Sequence, residues 1–368
     1  MRAVRRLLKS IVAVMSACAT LSALTVAVGA DPRALSVSAN PPAPVFTVNK
    51  IAILSKLRRK DFAALDSELD GYQSAFEKNP TAELNEEVAF ESFATDDSTV
   101  QGLIRQWIEA RPGSFAAHLA MGSYCSWRGW HTRGSGGSSG ASDQQSAAMK
   151  KFFDQSVGDI RKALEMRPKL SIAYALLIGE ARGEGNPTQV IALQAEALHQ
   201  VPASFVVREQ VMVSFYPRWG GNHDLMTKLA EQSQSVVKEN PYVHWLLGFV
   251  DLDDGETFGI QGQYGKSIAA LTSAIKKGGD FWRFYSSRGV AYLNSGAFGK
   301  ALADFDRANE LSPQDPDLLT YRAAALVQLG KPKEALLDLQ VVGIFEKPDQ
   351  LWNQLHDAAV KLAAKPQH

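Results

Sequence analysis

Cysteine is almost absent from this chain: 368 residues contain two, Cys18 and Cys125. No disulfide framework and no local Cys-based zinc site can be built from so few. Net charge is missing as well, with 39 Lys+Arg against 39 Asp+Glu. No dense Lys/Arg stripe stands out, so nucleic acid has no electrostatic footprint here. Past residue 30 no run of about eighteen apolar residues occurs, and nothing there spans a bilayer as a helix. No segment alternates apolar and polar residues for long between turn signals, which argues against strands. No two histidines sit four apart on a helix, and no Gly-x-Ser-x-Gly elbow occurs. Set against these absences are 45% apolar and 21% charged residues, the composition of a chain with a well-buried core.

The first thirty residues read as a leader. Arg2, Arg5, Arg6 and Lys9 form a basic start, small and apolar residues follow, and Val28-Gly29-Ala30 suits a signal peptidase. Residues 1–30 are therefore expected to be a signal peptide cleaved after Ala30, giving a periplasmic or secreted protein that begins at Asp31. The alternative is lipidation at Cys18 in Met15-Ser16-Ala17-Cys18, the one route to a membrane anchor. Removing the leader takes away four cations and no acid, leaving 35 basic against 39 acidic residues. Residues 31–46, with Pro32, Pro41, Pro42 and Pro44, read as a Pro-rich linker.

Beyond the linker the chain repeats itself. Within 282–315, Tyr285, Gly289, Tyr292, Ala301, Phe305, Ala308 and Pro313 fall at positions 4, 8, 11, 20, 24, 27 and 32 of a 34-residue unit. Small Gly289 and Ala301 suit a close crossing of two helices, and Tyr292, Phe305 and Ala308 suit the groove between them. Pro313 stops the second helix. Residues 316–349 repeat the scheme with Leu319, Ala323, Leu326, Ala335, Leu339 and Val342, and the preceding unit supplies Ser267, Leu271 and Ala274. Upstream, Ile160, Ala163 and Ala197 hold equivalent places, and polar runs end at Pro80, Pro112, Pro168, Pro202 and Pro241. The expected fold is an all-α solenoid, a superhelix of about seven or eight stacked antiparallel helical hairpins. Its divisions are 47–243 as a degenerate helical-repeat region, 244–349 as regular repeats, and 350–368 as a capping helix and tail.

Residues 248–349 resemble tetratricopeptide repeats, most specifically over 282–315. Residues 55–240 resemble a bacterial domain family of unknown function, through Trp127-Arg128-Gly129-Trp130, Tyr174 to Ile178, and Pro217-Arg218-Trp219-Gly220-Gly221. Those resemblances imply the fold and leave the task open. Some tetratricopeptide domains grip a C-terminal carboxylate with Lys and Asn on first helices. The matching faces here carry Ser286, Val290, Leu293, Tyr321 and Ala324, so a less charged, extended partner is expected.

Departures from the 34-residue step locate the candidate site. Pro112 to Pro168 carries 22 surplus residues, phased to a turn around Gly129 to Gln145; Pro202 to Pro241 carries five, at Pro217 to His223. A third, smaller surplus falls around Asp251 to Gly262. Equivalent turns of stacked hairpins line one edge, and insertions gathered there often mark a binding side. The candidate binding residues are Trp127, Arg128, Trp130, His131 and Arg133 from the first turn, and Arg218, Trp219, Gly220, Gly221 and His223 from the second. Trp and Arg offer large contact area and bidentate hydrogen bonding. The third turn offers Asp251, Asp253, Asp254 and Glu256. Its spacing lacks oxygen ligands where a calcium loop needs them, so it reads as a solvated acidic turn. The Gly-Ser run 134–140 reads as a linker because no Gly-Lys-Ser/Thr follows. Cys125, His118 and His199 fit packed or surface positions.

The resulting expectation is an exported, non-enzymatic scaffold with a protein or peptide partner, no nucleic acid, no cofactor, no metal and no catalytic residue. The alternative is a small-molecule or glycan binder or hydrolase. It would need His131, His223 and a carboxylate of the acidic turn to meet.

Overall fold

The computed structural model describes residues 41–134 and 142–364. The leader, Cys18, most of the linker and most of the Gly-Ser run lie outside those residues. Among the described residues there are seventeen α-helices and no strand, arranged as eight hairpins and a final helix. The first four hairpins are α1 (Lys50–Arg58) with α2 (Phe62–Lys78), α3 (Glu83–Glu91) with α4 (Ser98–Ala110), α5 (Phe115–Arg133) with α6 (Asp143–Met166), and α7 (Ser171–Gly183) with α8 (Pro187–Gln200). Then come α9 (Phe205–Ser214) with α10 (His223–Ser233), and α11 (Phe249–Ile260), led in by a 3₁₀ turn over Pro241–Gly248, with α12 (Tyr264–Gly278). The regular repeats are α13 (Trp282–Ser295) with α14 (Phe298–Leu311) and α15 (Pro316–Gln328) with α16 (Pro332–Phe345), capped by α17 (Gln350–Ala363). No helix among the described residues is long and apolar enough to cross a membrane.

The prolines act as the sequence implied. α2, α4, α6, α8 and α14 end at Lys78, Ala110, Met166, Gln200 and Leu311, each two residues before its proline. The residue between takes ψ values from 68° to 110°, because the proline ring disfavours helical backbone there. Starts are marked by Asn49, Asp61, Asp97, Ser114, Asn186, Ser204, Asn222, Asp315 and Asp349. Their side chains accept from the first free N–H groups. Ser142 and Gln145 close a reciprocal box at the start of α6.

Close helix crossings rest on glycine against a large side chain. A Cβ on Gly289 would lie 2.6 Å from Phe305, one on Gly255 2.5 Å from Leu271, and one on Gly122 2.4 Å from Ile160. The partners are sixteen residues apart in the first two pairs and thirty-eight in the third. All 22 surplus residues therefore lie between Gly122 and Ile160. Most of them do not form a turn, contrary to the sequence expectation; the rest fall in the connection 134–142, most of which lies outside the described residues. α5 and α6 are simply longer, at 19 and 24 residues, because Gly129 lets Phe153 sit where its own Cβ would be 2.4 Å away and so extends the crossing by two turns. Trp127, Arg128, Trp130, His131 and Arg133 are accordingly on a helix. The acidic turn is also helical, since Asp251, Asp253, Asp254 and Glu256 lie on α11. The surplus at Pro217 to His223 does form a connection, a 3₁₀ turn followed by Gly220 and Gly221.

Eight hairpins bring the array round on itself. The Thr95 hydroxyl and the Asp96 N–H both donate to the carbonyl of Phe345, and the Lys347 N–H donates to the Asp96 carboxylate at 3.0 Å. Nearby, the Lys50 N–H donates to Gln314 Oε1 at 3.1 Å. Phe345 is 2% exposed and belongs to the same buried cluster as Ile53, Phe93 and Trp107. The early and late hairpins of the array thereby meet across its concave side.

Candidate functional site

Three neighbouring cavities line that concave side. One of about 330 Å³ has Trp127, Trp130, Ser126, Gly179, Arg182 and Gln210 in its wall, together with Glu87 and Glu91. A second, about 230 Å³, shares Glu87, Glu91 and Gln210 with it and adds Glu209, Trp245, Trp282 and Arg283. A third, about 390 Å³, shares Trp282 and Arg283 and continues along Ser286, Val290, Leu293 and Tyr321 to Asp315 and Asp317. The faces of α13 and α15 expected to look inward do so.

The candidate residues fall into two groups. Trp127 and Trp130 line the interior, with Trp127 stacked on exposed His131 at 4.6 Å. Behind Trp130 stands Trp219, edge-on at 5.8 Å. The guanidinium groups of Arg133 and Arg182 each lie over both indoles, at 4.9 to 5.7 Å from the ring centres. Arg182 donates to Oε1 and the carbonyl of Gln210, its Nε has no partner among the described residues, and burial beside Arg283 and Arg218 draws its pKa down to about 9. Arg128 donates to the carbonyl of Asp96 at 3.2 Å and so braces the closure of the array.

The second group is the Pro217 turn. Arg218 stacks on Tyr216 at 4.6 Å and donates through both terminal nitrogens to Glu256 at 3.2 Å. Glu256 also receives Arg283 and Ser287, each at 3.3 Å. Burial would raise its carboxyl, but Arg283 and Arg218 outweigh that and hold it below the usual value. Gly220 adopts φ +90°, and a Cβ on Gly221 would lie 2.1 Å from the Phe215 carbonyl oxygen, so both glycines are demanded by the backbone. His223 Nε2 meets Asp253 at 2.9 Å, a carboxyl raised by burial against the opposing pull of that histidine. The three irregular segments thus do meet along one rim, through Trp130–Trp219, Arg218–Glu256 and His223–Asp253. His131 and His223 stand in separate places: one stacks on Trp127 near Asp317, the other pairs with Asp253.

Cys125 is fully buried and its thiol is pushed up to about 12 by burial. His118 is buried against Asp159 at 2.7 Å, and His199 is exposed on α8. No group of three or more His, Cys, Asp or Glu among the described residues is placed to hold a metal. Sequence reasoning missed Arg182, Glu87, Glu209, Trp245, Trp282 and Arg283. Arg283 had a signal, since it precedes the inward Ser286 and Ser287 by one helical turn. Trp282 opens the same helix, one turn before Ser286; the other four had none, because their segments lack the repeat signature.

Residues 50–197 match the domain of unknown function DUF4034. The match spans less than half of the chain and ends before Pro217, so the Pro-Arg-Trp-Gly-Gly turn lies outside it. Human superkiller complex protein 3 is 34% identical over 82 residues, which is 22% of this chain and 5% of that protein; the mouse protein is 33% identical over the same length and shares. This chain therefore spans only a small part of those relatives. Solved structures similar to it include the TPR domain of P58(IPK), at 12% identity and TM-score 0.33 over 86% of this chain and 98% of that one. Yeast Tom70 gives 13% and 0.40 over 76% and 60%, and the TPR2AB domain of yeast Sti1 gives 13% and 0.29 over 81% and 99%. Such distant likenesses carry no argument about shape or partner.

Proposed function

We propose that this is an exported, non-enzymatic interaction protein that holds an extended segment of a protein partner inside its closed helical array. One observation carries the reading: inward faces of both the irregular and the regular hairpins line a continuous interior with half-buried Trp127, Trp130, Trp282 and Tyr321. Large aromatic side chains on a concave wall supply contact area at small entropic cost, and Gln210, Ser286 and Asn294 offer hydrogen bonds to a peptide backbone. Residues 1–30 support export by their composition alone. The hydrolase alternative is disfavoured because its two histidines sit in separate clusters and neither lines an interior cavity.

Arg218 and Trp219, two of the candidate binding residues from the sequence, are better read as the support behind Trp130. The experiment is capture of partners from envelope extract with the mature chain, compared with Trp127→Ala combined with Trp282→Ala. Loss of a specific partner at unchanged helical content supports the reading. Undiminished capture, or no specific partner at all, rejects it.

A further inference from the structure

The cavity of about 230 Å³ lies under the N-terminal strap, whose Pro44 and Phe46 form part of its wall. Asn85 of α3 pins that strap by donating to the Val45 carbonyl at 2.9 Å and accepting from the Thr47 N–H at 2.8 Å. Glu87 of α3 and Glu209 of α9 both line the space. Glu209 is only 8% exposed, and neither it nor Glu87 accepts a hydrogen bond among the described residues. Burial raises both carboxyls: Glu209 and Glu91 add to the rise at Glu87, while Arg283 pulls against the rise of Glu209 to about 7.

The other charges around the space are engaged. Glu91 takes Lys50 at 2.8 Å, Asp280 takes Arg307 and Tyr285 at 2.6 Å, and Glu83 caps the start of α9. Arg283 donates to Glu256, and Arg182 to Gln210; both lie near enough to Glu209 to offset part of its charge without bonding to it. A second buried group is also unmatched: Trp245, 2% exposed and part of the same wall, has an indole N–H with no partner among the described residues. Phe281 and Trp282 complete an aromatic side.

Two acids in the wall of one cavity, with no hydrogen-bond donor on either among the described residues and only partly offset by Arg283, Arg182 and Lys50, favour keeping a proton. A cation of the right size replaces that proton. A space of about 230 Å³ accommodates a long side chain, and a compact ammonium with an apolar stem fits two acids backed by aromatic rings. We propose that this cavity is a specificity pocket for one lysine side chain of the bound segment, with its ammonium between Glu87 and Glu209 and its methylenes along Trp245 and Trp282. This rests on the reading of the interior as a peptide site.

The test uses the mature chain and two probes of similar stem, N-acetyl-lysine methylamide and N-acetyl-norleucine methylamide, by titration calorimetry at pH 7 in two buffers of different ionisation enthalpy. The lysine probe should bind with release of a proton to buffer and at least tenfold more tightly than the norleucine probe. Glu209→Gln and Glu87→Gln should each lower its affinity at least tenfold and abolish the release. Equal binding of the two probes, binding without proton release, no lysine binding at millimolar concentration, or unchanged affinity in both variants overturns the proposal. If Glu209→Gln loses helical content, Glu87→Gln alone decides. A chain that captures its partner through Trp127 and Trp282 yet ignores the lysine probe fails this inference only. One that binds the probe but captures nothing fails only the reading beneath it.

Discussion

Closure of the array can be tested at a single side chain. Phe345 ends α16 and is 2% exposed among residues of the N-terminal hairpins, while its backbone carbonyl accepts from Thr95 and Asp96. Truncating a buried Phe to Ala costs about 3–5 kcal/mol. Phe345→Ala leaves the carbonyl in place, so the loss falls on the apolar part of the seam. If the seam opens as a unit while each hairpin stays folded, a loss of about 3 kcal/mol raises the open population roughly 150-fold. Amide hydrogen exchange reads this directly. The Asp96 N–H, which donates to Phe345 at 3.3 Å, and the Lys347 N–H should exchange roughly a hundredfold faster. Amides in the middle of α14, a hairpin away, should not change, and neither should helical circular dichroism. Seam amides that exchange at the wild-type rate would show that Phe345 does not hold the ends together. A uniform acceleration throughout the chain would show that closure and global stability are one transition.

Other outcomes follow from particular contacts. Gly289→Ala puts a Cβ 2.6 Å from the Phe305 ring and should cost about 1–3 kcal/mol in urea unfolding, whereas Gly102→Ala, with nothing within 4 Å on α4, should gain up to about 1 kcal/mol. Glu256→Gln leaves Arg218 and Arg283 facing each other without their shared carboxylate, and should lower stability by about 3 kcal/mol in the same assay. Acids at the seam set a pH dependence: burial, with neighbouring carboxylates, raises Asp315 and Glu346 to about 6 and about 7. The closed form then holds protons more tightly than the open one. Its protection of Asp96 and Lys347 should be greatest near pH 4 and should fall as pH rises through 6 to 7, after correction for intrinsic exchange. Cys125, buried with its thiol at about 12, should resist iodoacetamide at pH 8 until the chain is denatured.

The helices, their ends and the crossing points were legible in the residues. A proline two positions past a helix, or a glycine sixteen positions before a large side chain, acts through local backbone sterics and one nearest-neighbour contact, and both can be phased from spacing alone. The surplus residues could be counted but not assigned. Phasing found 22 between two prolines, yet whether they make a loop or longer helices depends on Gly129 admitting Phe153, a contact between residues that no repeat position relates. The acidic stretch on α11 misled for a similar reason: Asp and Glu in a row look solvated, but Glu256 is satisfied by Arg218 from one hairpin and Arg283 from another.

What the sequence determined by itself was therefore the unit: an α-helical hairpin, its length, and the small and large residues at its crossing. What only the tertiary structure decided was how many such units complete a turn. Each step between hairpins is a small rotation fixed by side-chain packing, and only their sum brings Thr95 and Asp96 to Phe345. That sum also brings Glu87 and Glu209, far apart in the chain, into the wall of one cavity, a juxtaposition no local pattern records.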